Sequence, residues 1–353
     1  MELRGWSLAL ASVENFILIN TALSVVAFVA ASIFRAGSRP PLSQARFYAA
    51  ALIAPPVVSA WLVCASLLPA LLMGANRWEQ EHERSHTVHL LNALTSPVDP
   101  ALGYAAAGFA LFTTLIAIYL AWSARFRLCQ IINRLDIGAE PTPIDRVKQV
   151  EAVCRERGLA VGLVVSSYPF SFVWGYLRSK LVVSTGLLNT LSSEELAAVL
   201  EHEAAHHARR DNLMKWTLTI CRYLSPAFPL TGLLYRRWTE QIEMVCDEIA
   251  ARRIAAPVEL AGALVRIKRL TLAAPRIAGS GFFSNDGQNF EQRVARVLAL
   301  SNESEIGAAD YMSRSCTRMA MVAGAIFALS LAAMLVVSPL AVHRAIEAAL
   351  SLI

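Results

Sequence analysis

His202, Glu203 and His206 are the residues of this chain whose types and spacing most directly suggest chemistry. On a helix each residue turns about 100°, so His202 and His206 lie about 40° apart and one turn from each other. Two imidazoles so placed can reach one tetrahedral zinc, which in a catalytic site takes three protein ligands and one water. Glu203 falls on the flank of the same face, where its carboxylate can take a proton from that water. The chemistry implied is metal-assisted hydrolysis with Glu203 as general base. A chance pattern is the rival explanation, but the motif falls on a capped amphipathic segment, the context it requires. His207 points about 100° away from His206 and reads as a surface or packing histidine.

The elements that must position these residues can be read around them. Ser192 and Glu195 have the spacing of a capping box, so a helix starts there, and Leu196, Val199 and Leu200 give it an apolar face. A third ligand must come from elsewhere. Downstream, Thr239 to Ala250 reads as a helix with Glu240, Glu243 and Asp247 on one face at spacings of three and four. From spacing alone any of the three could bind the metal, and a solvated acidic face is the alternative; if buried, these carboxylates want a cation. Upstream, Ile144 to Glu156 reads as a helix. Leu159 to Val165, Phe172 to Tyr176 and Leu181 to Ser184 read as strands. An edge strand near the motif helix would hold an extended peptide by strand addition, and the last run, Leu181 to Ser184, is the natural candidate. Leu213 to Tyr235 is broken by Lys215, Arg222, Pro226 and Pro229 and reads as a helical hairpin, dipping against a membrane or packed on the core. Val258 to Leu272 is an amphipathic helix whose Arg266, Lys268 and Arg269 form a solvated basic face or meet lipid headgroups. Ile277 to Asn289, rich in Gly, Ser and Asn, reads as a mobile loop.

Of the 353 residues, 56% are hydrophobic and only 17% charged, too apolar for an ordinary soluble domain. Four uncharged runs have spanning length, at about 15–34, 47–74, 101–124 and 319–342. Residues 1–14 read as an interfacial lead-in, and Pro55, Pro56 and Pro69 as tolerated kinks in the second span. Basic residues follow the first and third runs, whereas the loop 77–100 is acidic. The positive-inside rule then sets 77–100 and the tail 343–353 outside and 125–318 in the cytoplasm. The expected architecture is a mostly α membrane protein of the inner (plasma) membrane. Its four transmembrane helices carry a cytoplasmic α+β metallopeptidase domain between the third and the fourth. A net charge of +5 suits contact with anionic membrane lipid, while scattered basic residues without a binding motif argue against direct nucleic-acid binding. None of the six cysteines has a paired metal spacing, and they read as reduced thiols. In the outer loop His82, His86 and His89 would share a helix face with Glu79. That is either a metal or pH sensor or a polar solvated helix.

Two stretches carry a family resemblance. Glu243-Met-Val-Cys-Asp247-Glu-Ile-Ala250 resembles the Glu-x-x-x-Asp-x-x-Ala signature of integral-membrane gluzincins. Pro169 to Asn212 contains Phe-Val-Trp-Gly-Tyr-Leu-Arg-Ser-Lys-Leu-Val-Val-Ser, then Leu-Ser-Ser-Glu-Glu-Leu, then the motif and Arg209-Arg210-Asp211-Asn212. It is similar to the beta-lactam-sensing antirepressor metallopeptidases of bacteria. The resemblance implies His202, His206 and Glu243 as ligands of Zn2+, Glu203 as the base, and Asp247 as a partner that orients a ligand histidine. Asp211 matches a family motif residue. Phe290 to Leu298 is similar to an Arg-Ile-x-x-Leu helix of related peptidases, with Arg293 at the matching position. The resemblance also implies cleavage of a cytoplasmic transcriptional repressor or of the chain itself, with Gly279 to Gly287 the expected self-cleavage segment. A homodimer is a candidate assembly. The chain ends at Ile353 without the family's penicillin-binding sensor domain, so direct beta-lactam sensing is not expected. The alternatives are a quality-control or processing protease of membrane proteins, and a non-cleaving signal transducer or scaffold.

Overall fold

A computed structural model of the chain describes residues 2–33, 40–73, 143–176, 178–273 and 287–302, together with the helical positions 108, 111, 115 and 119. The third and fourth expected spans (apart from those four positions), the outer-loop histidines, the tail and most of the expected self-cleavage segment lie outside the described residues.

Two long helices open the chain, α1 (Glu2–Ile33) and α2 (Pro41–Met73). Within them Phe16–Ile33 and Pro41–Cys64 are long and apolar enough to cross a membrane, by length and composition. Eighteen residues at 1.5 Å each make about 27 Å, close to the hydrocarbon thickness of a bilayer. The expected interfacial lead-in is part of α1 rather than a separate segment. α2 is assigned as one helix through all three prolines.

The rest of the described chain surrounds the motif helix. α3 (Ile144–Glu156) leads into a three-stranded sheet of β1 (Ala160–Val164), β2 (Ser171–Trp174) and β3 (Lys180–Ser184). The order is β1-β3-β2, with β1 parallel and β2 antiparallel to β3. This corrects one expectation: Leu181 to Ser184 is the central strand, and the edge strand beside the motif helix is β2. Strand order depends on long-range pairing, which a run of apolar residues does not encode. The turn after β2 needs Gly175, whose φ is +102° and whose missing Cβ would lie 2.5 Å from the Arg178 carbonyl oxygen.

After the short α4 (Thr185–Thr190) comes α5 (Ser193–Arg209), which carries the motif. α6 (Asp211–Tyr223), α7 (Phe228–Ile254), α8 (Pro257–Ala273) and α9 (Gly287–Ala299) follow. The expected hairpin and the expected acidic helix share α7, which begins at Phe228 with Pro229 in its first turn, where proline is tolerated. Three apolar clusters meet on α5. Leu196, Val199, Leu200 and Ala204 pack with α3, the sheet and α8. Ala198 packs with α7, α8 and α9. Ala205 joins α6, α7 and the two N-terminal helices, around the fully buried Trp238. The hairpin of α6 and α7 is therefore packed on the core, against α1 and α2.

Candidate metal centre

Local sequence sets the aim of α5. The Ser192 side chain accepts the Glu195 N–H (3.1 Å) and the Glu195 carboxylate accepts the Ser192 N–H (2.9 Å), a reciprocal cap that fixes where the helix starts. At its other end Arg210 takes the left-handed conformation (φ 55°). The chain turns there, and Asp211, at the start of α6, reaches back to His206.

Both histidines turn Nε2 into a cleft of about 650 Å³. The two Nε2 atoms are 3.2 Å apart, and the Glu243 carboxylate of α7 lies 3.7 Å from that of His202 and 3.6 Å from that of His206. Tetrahedral ligands at about 2.05 Å from zinc are separated by about 3.3 Å. The donor set of two imidazole nitrogens and one carboxylate, converging at these distances, therefore fits a zinc ion with a fourth position left for water.

Behind each imidazole stands a carboxylate. His202 Nδ1 is 2.9 Å from Asp247 Oδ1, and His206 Nδ1 is 2.9 Å from Asp211 Oδ2. Such partners fix the tautomer that leaves Nε2 free for a metal. Asp247 is itself held by Arg293 of α9, with Nε at 2.6 Å and Nη2 at 2.9 Å, and Arg293 Nη1 is 3.4 Å from Glu243. Of the acidic face on α7, then, Glu243 and Asp247 meet the histidines, while Glu240 at the cleft pairs with Arg236 (3.1 Å).

The electrostatics favour positive charge at this point. Burial would lower the His202 pKa, but the Asp247 and Glu243 carboxylates beside the ring outweigh it and push it up to about 10. Burial would likewise raise the carboxylates. Instead Glu243 is held well below its usual range by His206, His202 and Arg293, and Asp247 is lowered by Arg293 and His202. Asp211 is lowered by Arg209 and His206. A field that favours an imidazolium in a buried pocket also favours a divalent cation.

Glu203 is buried and points to β2, where the Ser171 hydroxyl donates to its Oε1 (2.8 Å). Phe170, Ser171 and Val173 form one wall of the cleft, and Val199, Leu260 and Leu264 line it from the helical side. His207 takes no part in the ligand cluster; its Nδ1 lies 2.6 Å from Ser179 Oγ. Sequence reasoning did not find Ser171, which carries no motif of its own. Nor did it place Lys215 at the site: read from sequence only as a break in an apolar run, it is a cleft residue whose Nζ is 3.9 Å from Glu243.

A family model described as BlaR1 peptidase M56 matches residues 102–258. Among curated proteins, the "Protease HtpX homolog" of Archaeoglobus fulgidus is 34% identical over 116 residues, covering 31% of this chain and 34% of that protein. The protein of the same name from Aeropyrum pernix is 32% identical over 121 residues, covering 32% and 38%. The chain thus spans little more than a third of the length of these relatives. No solved structure matches it. The matched stretch contains the motif helix, Glu243 and Asp247, so it is the part of the chain bearing the candidate metal centre that is similar to the BlaR1 peptidase M56 family.

Proposed function

We propose that this chain is a membrane-embedded zinc endopeptidase whose active site lies between α5, α7 and β2. One observation carries the reading: His202, His206 and Glu243 converge at zinc-ligand spacing, with Glu203 beside them in an open cleft along an edge strand. A zinc ion held there would supply Lewis acidity, making water a nucleophile at neutral pH and polarising a peptide carbonyl. Glu203 takes the proton from the attacking water and returns it to the leaving amine. Asp247 and Asp211 keep the two imidazoles oriented, and Arg293 holds Asp247 in place. The open edge of β2 receives the substrate backbone as an added strand.

In this reading the catalytic domain faces the cytoplasm of a multi-pass inner-membrane protein. Its substrate is a transcriptional repressor or the chain itself, which makes the protein an antirepressor. The resemblance to the BlaR1 peptidase family supports that role. A broader membrane peptidase would use the same residues, and the relatives named simply as proteases favour it as the second reading.

The test is cleavage in isolated membranes, with fragments mapped by mass spectrometry. Wild type should yield fragments that vanish on zinc chelation and fall by at least about a hundredfold in Glu203→Gln. Fragments ending within residues 279–287, or loss of a co-expressed repressor, would select the antirepressor role. Cleavage of unrelated membrane proteins alone would select the second reading. Equal cleavage by wild type and Glu203→Gln would reject the peptidase.

A further inference from the structure

Three hydrogen bonds tie β2 and the turn after it to the motif helix and to the residue following Asp211, and none of them involves the ligand cluster. The Ser171 hydroxyl donates to Glu203 Oε1 at 2.8 Å. The Asn212 amide donates to the Val173 carbonyl at 2.6 Å and to the Gly175 carbonyl at 3.3 Å. The register of the sheet shows what these bonds do. Ser171 faces Val183 and Phe172 faces Val182, and the Ser184 N–H donates to the Phe170 carbonyl at 3.0 Å. In an antiparallel pair, residues alternate between bonding the partner strand and bonding outward. Phe170, Phe172 and Trp174 therefore bond toward β3, and Ser171 and Val173 turn their backbone groups to the open edge. The Val173 carbonyl that Asn212 engages is an outward one, as the alternation requires, and the Gly175 carbonyl that it also engages lies at the turn just beyond β2.

We propose that Ser171 and Asn212 together set the cleavage register. The proposal rests on the peptidase reading above. With the Val173 and Gly175 carbonyls engaged by Asn212, the pairing groups of the edge are concentrated at Ser171 (N–H and C=O) and at the Val173 N–H. An incoming strand docks over Ser171, and Asn212 stops it from pairing further along. The Ser171 side chain meanwhile fixes the carboxylate of the base. One residue thus aligns the substrate backbone and, through Glu203, the proton acceptor. Both are positioning residues: Ser171 acts on the chemistry through Glu203, and Asn212 acts through β2. A role confined to packing would leave both the turnover and the position of the cut as they are.

The experiment uses the full chain in detergent, loaded with zinc, and one quenched fluorescent peptide chosen because wild type cuts it at a single bond. Ser171→Ala should lower kcat by at least about tenfold, the lower end of what losing a hydrogen bond to a charged group costs. KM and bound zinc should stay unchanged, and Ser171→Thr, which keeps the hydroxyl, should restore most of the rate. Asn212→Ala should keep its zinc and cut a second bond two residues from the first, because faces repeat every two residues along a strand. Asn212→Asp, of the same size but with no amide donor, serves where the alanine variant does not fold. Wild-type kcat in Ser171→Ala, Ser171→Thr as slow as Ser171→Ala, or the same single cut in a folded Asn212 variant overturns the register proposal and leaves the peptidase standing. A panel of such peptides that wild type and Glu203→Gln process alike overturns both.

Discussion

Each motif histidine presents Nε2 to the cleft and Nδ1 to a carboxylate, so the site is built two layers deep. Asp247 is the more embedded partner: it is 1% exposed, and its two oxygens are shared between His202 and Arg293. Asp247→Asn should weaken zinc binding by about 10–100-fold without removing a ligand. Competition with a chromophoric chelator measures this, and unchanged affinity would reduce Asp247 to a packing residue. The pH dependence follows from His202. In the metal-free chain, burial pulls its pKa down but Asp247 and Glu243 push it up to about 10. A folded pKa raised above the unfolded value of about 6.5 adds stability that is fully present below about pH 6.5 and lost as pH rises towards 10. Zinc binds the neutral ring, so the loaded chain does not lose stability by this route, and apparent zinc affinity rises across the same window. The melting points of chelator-treated and zinc-loaded chain should therefore diverge between about pH 6.5 and 9.5. A constant gap would mean that His202 is already neutral at the lower pH.

At the scale of elements, α5 is the hub and its buried charge is the point of leverage. Glu201, 6% exposed, accepts from Arg157 at the end of α3 (2.9 and 3.0 Å) and from Arg253 on α7 (2.9 Å). Removing the carboxylate leaves two guanidinium groups facing each other in a mostly buried site. Glu201→Ala should cost about 1.5–3 kcal/mol in thermal or denaturant unfolding, the size of a lost charge-assisted hydrogen bond, with the ligand geometry otherwise intact. A loss below about 1 kcal/mol would show the cluster behaving as a surface pair. What the sequence disclosed at this scale was whatever is local. The Ser192–Glu195 box, the apolar face of the motif helix and the three- and four-residue spacing of Glu243 and Asp247 all lie within one or two helical turns. Family resemblance, not spacing, singled out Glu243 from Glu240 and Asp247. Long-range facts stayed hidden: that β3 is central and β2 the edge, that Ser171 meets Glu203 across 32 residues, and that Asn212 meets the Val173 and Gly175 carbonyls across 39 and 37. One local cue was present and passed over. The Ser184 side chain accepts the Leu187 N–H and so opens α4, where the sequence was read only as the end of a strand.

Across the whole molecule, the two N-terminal apolar helices are part of the folded unit that carries the candidate metal centre. α7, which bears Glu243, packs against both, and the connection between α6 and α7 is sealed to α1 by polar groups. Asn20, fully buried within the apolar run Phe16–Ile33, donates to the Leu224 carbonyl at 3.0 Å and accepts from Ser24 Oγ at 3.3 Å. Ser225 Oγ donates to Ser24 Oγ (3.0 Å) and accepts the Ala227 N–H (3.2 Å). Irregular backbone in apolar surroundings is tolerated where protein groups satisfy it, and Asn20 does so for this turn. Asn20→Ala leaves the Leu224 carbonyl without that donor, a loss of about 1–3 kcal/mol. The melting point in detergent should fall by about 2–4 °C for each kcal/mol. Thr21→Ala is the control, because among the described residues the Thr21 hydroxyl bonds the Ile17 carbonyl of its own helix (2.7 Å), and it should shift the melt far less. If the two variants melt alike, α1 tethers the domain without being built into it. If Asn20→Ala alone melts early and sheds its zinc in the same transition, the first apolar helix and the Glu243 helix unfold as one cooperative unit, and movement of the former has a direct route to the metal site.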